Sequence, residues 1–132
     1  MKKIILFSLL CTSVIFANEY RNGLYRGAFV SGQETQVEVQ FHLKNDIISK
    51  TRFRTLFYKG QDYLKEKTLE NEKDRYQAAL TSTEGKNIED ALESLYFPGN
   101  IPRAGASLRS SKIRAAMQNA LNSGVYKPEN KN

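Results

Sequence analysis

The stretch QVEVQFHLKNDIISKTRFRTLF, Gln36 to Phe57, decides the fold. Its first part alternates strictly, with Val37, Val39, Phe41 and Leu43 against Gln36, Glu38, Gln40 and His42. That is the period of a strand with one face buried. Asn45-Asp46 breaks the pattern, and Ile48 to Phe57 resumes it with Thr51, Phe53, Thr55 and Phe57 on one side and Lys50, Arg52 and Arg54 on the other. Two such runs around a polar break predict a hairpin. A loop of Asn45-Asp46-Ile47 sets Val39 opposite Phe53 and Glu38 opposite Arg54. A two-residue loop would set apolar side chains against basic ones, so burial selects the longer loop.

Before this hairpin, Asn22-Gly23 reads as a turn, and Leu24 to Val30 as a further strand closed by Ser31-Gly32. After it, Lys59-Gly60 ends the strand region. Lys65 to Arg75 is dense in charges of both signs, which predicts a solvated helix or excursion anchored by Leu64, Leu69, Tyr76 and Leu80. Thr81 to Lys86 reads as a polar loop. Asn87 is placed to cap a helix whose apolar face is Ile88, Ala91, Leu92, Leu95 and Tyr96, and Pro98-Gly99 ends it. A last helix from near Leu108 carries Ile113, Ala116, Met117, Ala120 and Leu121 on one face, with Gly124 just past its end. Val125 and Tyr126 are expected to pack back on the core, and Lys127 to Asn132 to fray as a polar tail. Strands first and helices afterwards predict one small α+β domain, an antiparallel sheet with helices packed on one face.

The N-terminus has the form of an export signal. Lys2 and Lys3 precede the mostly apolar Ile4 to Phe16, and Ala17 is a small residue suited to cleavage. We therefore divide the chain into a signal peptide (1–17), a domain (18–126) and a polar tail (127–132). The apolar run is shorter than the roughly 20 residues that a membrane-spanning helix needs. Cys11, the chain's only cysteine, falls within the leader, so the mature domain has no thiol for disulfides, catalysis or metal binding. Net charge is +6, and loss of Lys2 and Lys3 leaves 18 basic against 14 acidic side chains. This mild excess suits an anionic ligand or membrane surface and does not make nucleic acid the expected partner.

Three segments in order resemble the FMN-binding domain family. NGLYRGAFV (22–30) is similar to that family's Asp-Gly-x-Tyr-x-Gly opening, and VEVQFHLKNDIISK (37–50) to its alternating strand, tight turn and Ile-led return strand. AGASLRSSKIRAAMQNAL (104–121) resembles its Ser-Gly-Ala-Thr-x-Thr-Ser turn and the Ala-rich helix that follows. The resemblance implies a divergent, non-enzymatic flavin carrier acting in electron transfer in the periplasm or at the outer face of the cytoplasmic membrane. Its implied partners are a membrane-side electron-transfer protein and a flavin transferase. Ser107 matches the threonine whose hydroxyl many members join to the phosphate of FMN. Gly105, Ala106 and Ser110 match their counterparts, whereas Ala104 stands where the family has Ser or Thr and Arg109 where it has a hydroxyl. The acid that the family carries ahead of the turn has no counterpart in Gly99-Asn100-Ile101. The implied alternatives are FMN held covalently, FMN held reversibly, and a binding or structural module of the same fold without covalent flavin.

Read from the residues alone, Ser107 or Ser110 is an ordinary helix cap, or else a helix start with Arg109 and Lys112 nearby receives an anion such as a phosphate. Tyr96 and Phe97 are the aromatic residues best placed to wall a ligand. Lys50, Arg52 and Arg54 form a basic stripe that reads as a solvated strand face or, alternatively, as an anion-docking surface. His42 is the chain's only histidine, and no metal-ligand set or catalytic triad can be composed.

Overall fold

The computed structural model describes residues 18–101 and 107–129. The leader (1–17) and Cys11 lie outside the described residues. Five strands form one antiparallel sheet: β1 (Gly23–Ser31), β2 (Glu34–Lys44), β3 (Ile47–Tyr58), β4 (Gln61–Asp62) and β5 (Lys127–Pro128), in the order β4-β3-β2-β1-β5. Three α-helices follow the fourth strand: α1 (Glu70–Thr81), α2 (Ile88–Ser94) and α3 (Ser107–Ser123). This is the α+β arrangement that the order of elements implied.

The alternation in β2 places Val37, Val39, Phe41 and Leu43 in the core. Tyr25 from β1 lies beside Phe41 with ring planes 8° apart and centroids separated by 5.6 Å. A stack of this kind contributes roughly 0.5–1.5 kcal/mol beyond the area it buries. From the helices, Ile113, Ala116, Met117, Ala120 and Leu121 cover the same face. On α1, Tyr76 meets Phe53 edge-on, and burial pushes its hydroxyl up to about 12. The opposite face of the sheet carries Arg26, Gln40, His42 and Arg52 and is open to solvent.

The hairpin between β2 and β3 follows a different route to the register inferred from burial. Its loop is the two-residue turn Asn45-Asp46, both residues having positive φ (52° and 64°), because Lys44 pairs with Ile47. Positive φ at both central positions matches the twist of the flanking strands. A bulge then sets Phe41 against the Lys50-Thr51 step, and beyond it Val39 does face Phe53. A second bulge makes Thr55, not Arg54, the partner of Glu38. Arg54 still approaches Glu38 at 3.7 Å, and the shift turns Leu56 inward where Phe57 was expected. Bulges change the parity of a strand, which uniform alternation does not reveal.

The turn also anchors what surrounds it. Asp46 is buried, and its carboxylate accepts the backbone N–H groups of Glu19 at 2.8 Å and Tyr20 at 3.0 Å. Its carbonyl accepts the N–H of Ile88, at the start of α2. Asn87 caps that helix as expected, accepting from the Glu89 amide at 2.9 Å, an interaction of about 1 kcal/mol. Tyr96 does not join the helix's buried face, because α2 stops at Ser94 and leaves it exposed. At the other end of the chain, Lys127–Pro128 do not fray but pair with Gly23 and Leu24. Val125 packs against the core as expected, whereas Tyr126 is exposed beneath the Arg26 guanidinium.

Gly27 fixes how close α3 lies to the sheet. A Cβ there would fall inside contact distance of the Ala116 carbonyl and the Ala120 amide, and 2.7 Å from the Ala120 methyl. The obstacle is helix backbone and cannot rotate away. Gly27→Ala is expected to cost stability at or above the upper end of the roughly 1–3 kcal/mol typical of overpacking, measured by urea unfolding. Gly32→Ala, in open space with φ of 63°, should lose only about 1–2 kcal/mol for its left-handed backbone. Equal losses at the two positions would contradict this assignment.

Candidate functional site

The start of α3 holds four of the residues singled out in the sequence: Ser107, Arg109, Ser110 and Lys112. Ala104, Gly105, Ala106 and the Ser107 side chain lie outside the described residues. The turn lies between described residues on both sides. Ile101 is buried in the core before it, and α3 begins at Ser107 after it. The N–H groups of a helix's first turn have no intrahelical acceptors, so this end offers an anion both donors and the positive end of the helix dipole.

Arg109 and Lys112 are engaged within the domain. Arg109 donates to Glu72 on α1, with Nε at 3.1 Å from the carboxylate, and lies 5.9 Å from the centre of the Tyr76 ring. Its side chain is only 14% exposed. This pair joins α1 to α3 across 37 positions of sequence, and neither helix's own pattern foretells it. Lys112 is buried with Nζ 4.2 Å above the Tyr58 ring. Burial holds its ammonium below the usual lysine range, and the Glu34 carboxylate opposes that shift. Glu34 is itself held below the ordinary carboxylate range, foremost by the Gly60 amide and then by Gln36. It accepts from the N–H groups of Lys59 and Gly60 and so closes the β3–β4 turn.

Ser110 is fully buried, and its hydroxyl has no hydrogen-bond partner among the described residues. A buried hydroxyl of this kind forgoes about 1–3 kcal/mol unless something meets it. Tyr96 and Phe97 are 62% and 59% exposed, and Tyr96 lines a shallow groove with Arg114, Ala115 and Gln118 of α3. The Arg114 guanidinium lies 3.8 Å over the Tyr96 ring, and Leu108, on the first turn of α3, is also exposed. The exposed Tyr96 ring thus lies against α3 about 10 Å along the axis from its start, while the two cations expected to serve that start are turned to other partners.

No protein-family model, curated protein or solved structure matches this chain. No helix among the described residues is long and apolar enough to cross a membrane.

Because Lys112 is depressed in the folded state, the unfolded chain binds more protons between that native value and 10.5. Its contribution to stability therefore rises with pH through that window. Replacing it by Met is expected to flatten the stability profile just below the usual lysine range, followed by urea unfolding. Above that range the raised hydroxyls of Tyr20 and Tyr76 reverse the trend, since unfolded tyrosine ionises first. An unchanged slope in Lys112→Met would contradict the burial of this ammonium.

Proposed function

We propose that this chain is an exported FMN-binding protein that holds the flavin phosphate at the start of α3 and passes electrons to or from a partner at the membrane. The observation that carries this reading is a helix start whose first turn contains Ser107 and a buried Ser110 hydroxyl with no hydrogen-bond partner among the described residues, with the exposed Tyr96 ring lying against the same helix two turns further along. A phosphate needs the free amides, and a flat apolar ring needs the aromatic wall. The likeness of 104–121 to the FMN-binding turn and helix supports the same assignment.

The residues present fit such a group in part. Ser107 would supply the anchoring oxygen, and the first-turn amides of α3 the anion-stabilising donors. Arg109 and Lys112 serve Glu72 and Tyr58 instead, so phosphate anchorage rests on backbone and hydroxyl groups. Covalent attachment would form a bond from Ser107 Oγ to the flavin phosphorus as an activated flavin donor loses its leaving group. The serine proton would pass to a base on the transferase. When bound, the flavin supplies the redox chemistry, and the protein supplies anchorage, stacking and the surroundings that set its potential.

The engagement of both cations favours a second reading, an exported binding or structural module of the same fold without covalent flavin. Intact mass of the protein purified from its native exporting host, under denaturing conditions, separates the two. The flavin reading expects cleavage after Ala17 and an FMN-sized increment that is lost in Ser107→Ala. Absence of the increment, of co-purifying flavin and of tight binding of added FMN would leave only the second.

A further inference from the structure

On the open face of the sheet, the start of β1, the end of β2, the start of β3 and the added strand β5 enclose a groove of about 470 Å³. His42, Lys44, Lys50 and Lys127 line it together with Ser49, and Glu129 is the one acid there. Glu129 approaches Lys44 at 3.9 Å, but both side chains are well exposed, so the pair is weak. Among the described residues, no carboxylate lies within ion-pair distance of Lys50 or Lys127.

Lys50 is placed there at a cost. It occupies the bulge opposite Phe41 with φ of 54°, a left-handed conformation that disfavours any residue with a Cβ. Bulges commonly re-aim a side chain, and this one sets an ammonium close enough to His42 to act on it. Burial and then the Lys50 charge hold the imidazole below its ordinary value. Further along the same face, Arg52 pairs with Gln40, while Glu84 accepts the neighbouring Thr51 amide. Lys50 and Lys127 thus face a concave surface whose one acid, Glu129, approaches Lys44.

We propose that this groove is an anion-binding site for a phosphate group, with Lys50 and Lys127 supplying the charge and Ser49 and His42 the directed donors. It is distinct from the flavin site proposed above. β5 follows the C-terminal end of α3, about 25 Å from the helix start for 17 residues at 1.5 Å each, and the groove opens on the face that the helices leave bare. The same chemistry serves a free phosphate compound or the phosphodiester of an anionic lipid headgroup, and the latter would seat the exported protein on the membrane surface.

His42 reports on the site directly, since its ring signals are the only histidine resonances of the chain. An anion in the groove favours the imidazolium, so added inorganic phosphate should shift these signals saturably and move the His42 titration midpoint upward. Sodium chloride at equal ionic strength should do neither. Lys50→Gly suits the left-handed backbone and removes the charge, and combined with Lys127→Gln it is expected to weaken phosphate binding at least tenfold. Lys73→Gln, on α1, should leave binding unchanged.

Sedimentation with phosphatidylcholine vesicles, with and without phosphatidylglycerol, distinguishes the sources. Binding to the anionic vesicles alone, lost in the double variant, assigns a lipid headgroup. Saturation by phosphate without vesicle binding assigns a free phosphate compound. Failure to respond to either, or responses that survive in the folded double variant, would overturn the proposal. None of these outcomes depends on flavin.

Discussion

The approach of α3 to Gly27 is the contact on which the other arrangements rest. With no Cβ at position 27 and only methyl groups at Ala116 and Ala120, helix backbone lies against strand backbone. The Ala28 amide donates to Asn119 Oδ1 at 3.0 Å and fixes the helix along the strand. At this separation Ile113 and Met117 are fully buried in the same core as Tyr25, Val39 and Phe41. The same seating brings Arg109 within reach of Glu72 and Lys112 over Tyr58. It also sets Arg114 over the exposed Tyr96 ring and determines where the two ends of α3 emerge, the second leading into β5.

The two ends offer different chemistry. At the start are the first-turn amides and the buried Ser110 hydroxyl, on which the proposed flavin site rests. At the far end, β5 completes a concave surface lined by lysines. Each site depends on α3 holding its position: the first because the helix starts there, the second because Lys127 is delivered by the residues that follow it. The mild basic excess of the chain is therefore distributed unevenly. Arg109 and Lys112 hold the domain together, whereas Lys50 and Lys127 are left to the surface.

Much of the fold was legible because burial imposes periods on the sequence. The alternation of Val37 to Leu43, the face of α3 and the Asn87 cap are local signals, and each forms as expected, whereas Gln36 is buried beside Val37 instead of facing solvent. Features that depend on distant partners were not legible. The Lys50 bulge shows itself only when β2 and β3 are paired, and it reconciles a two-residue turn with the Val39–Phe53 register. β5 is only Lys127 and Pro128 and gains its strand character from Gly23 and Leu24, over 100 positions away. Arg109 lies at a helix start suited to an anion, and Glu72, its partner, lies in a charged tract that gives no sign of the pairing. Of the candidate site, the helix start and the exposure of Tyr96 and Phe97 are placed, while Ala104, Gly105 and Ala106 lie outside the described residues.

The central claim is that α3 and β1 form one rigid unit that presents both sites. Native-state amide hydrogen exchange measures this directly, residue by residue. Amides from Ile113 to Leu121 and those of Tyr25 to Gly27 are expected to exchange at the same slow rate, set by global unfolding. Exchange of the α3 amides through a separate, much lower-energy opening while β1 stays protected would contradict the claim.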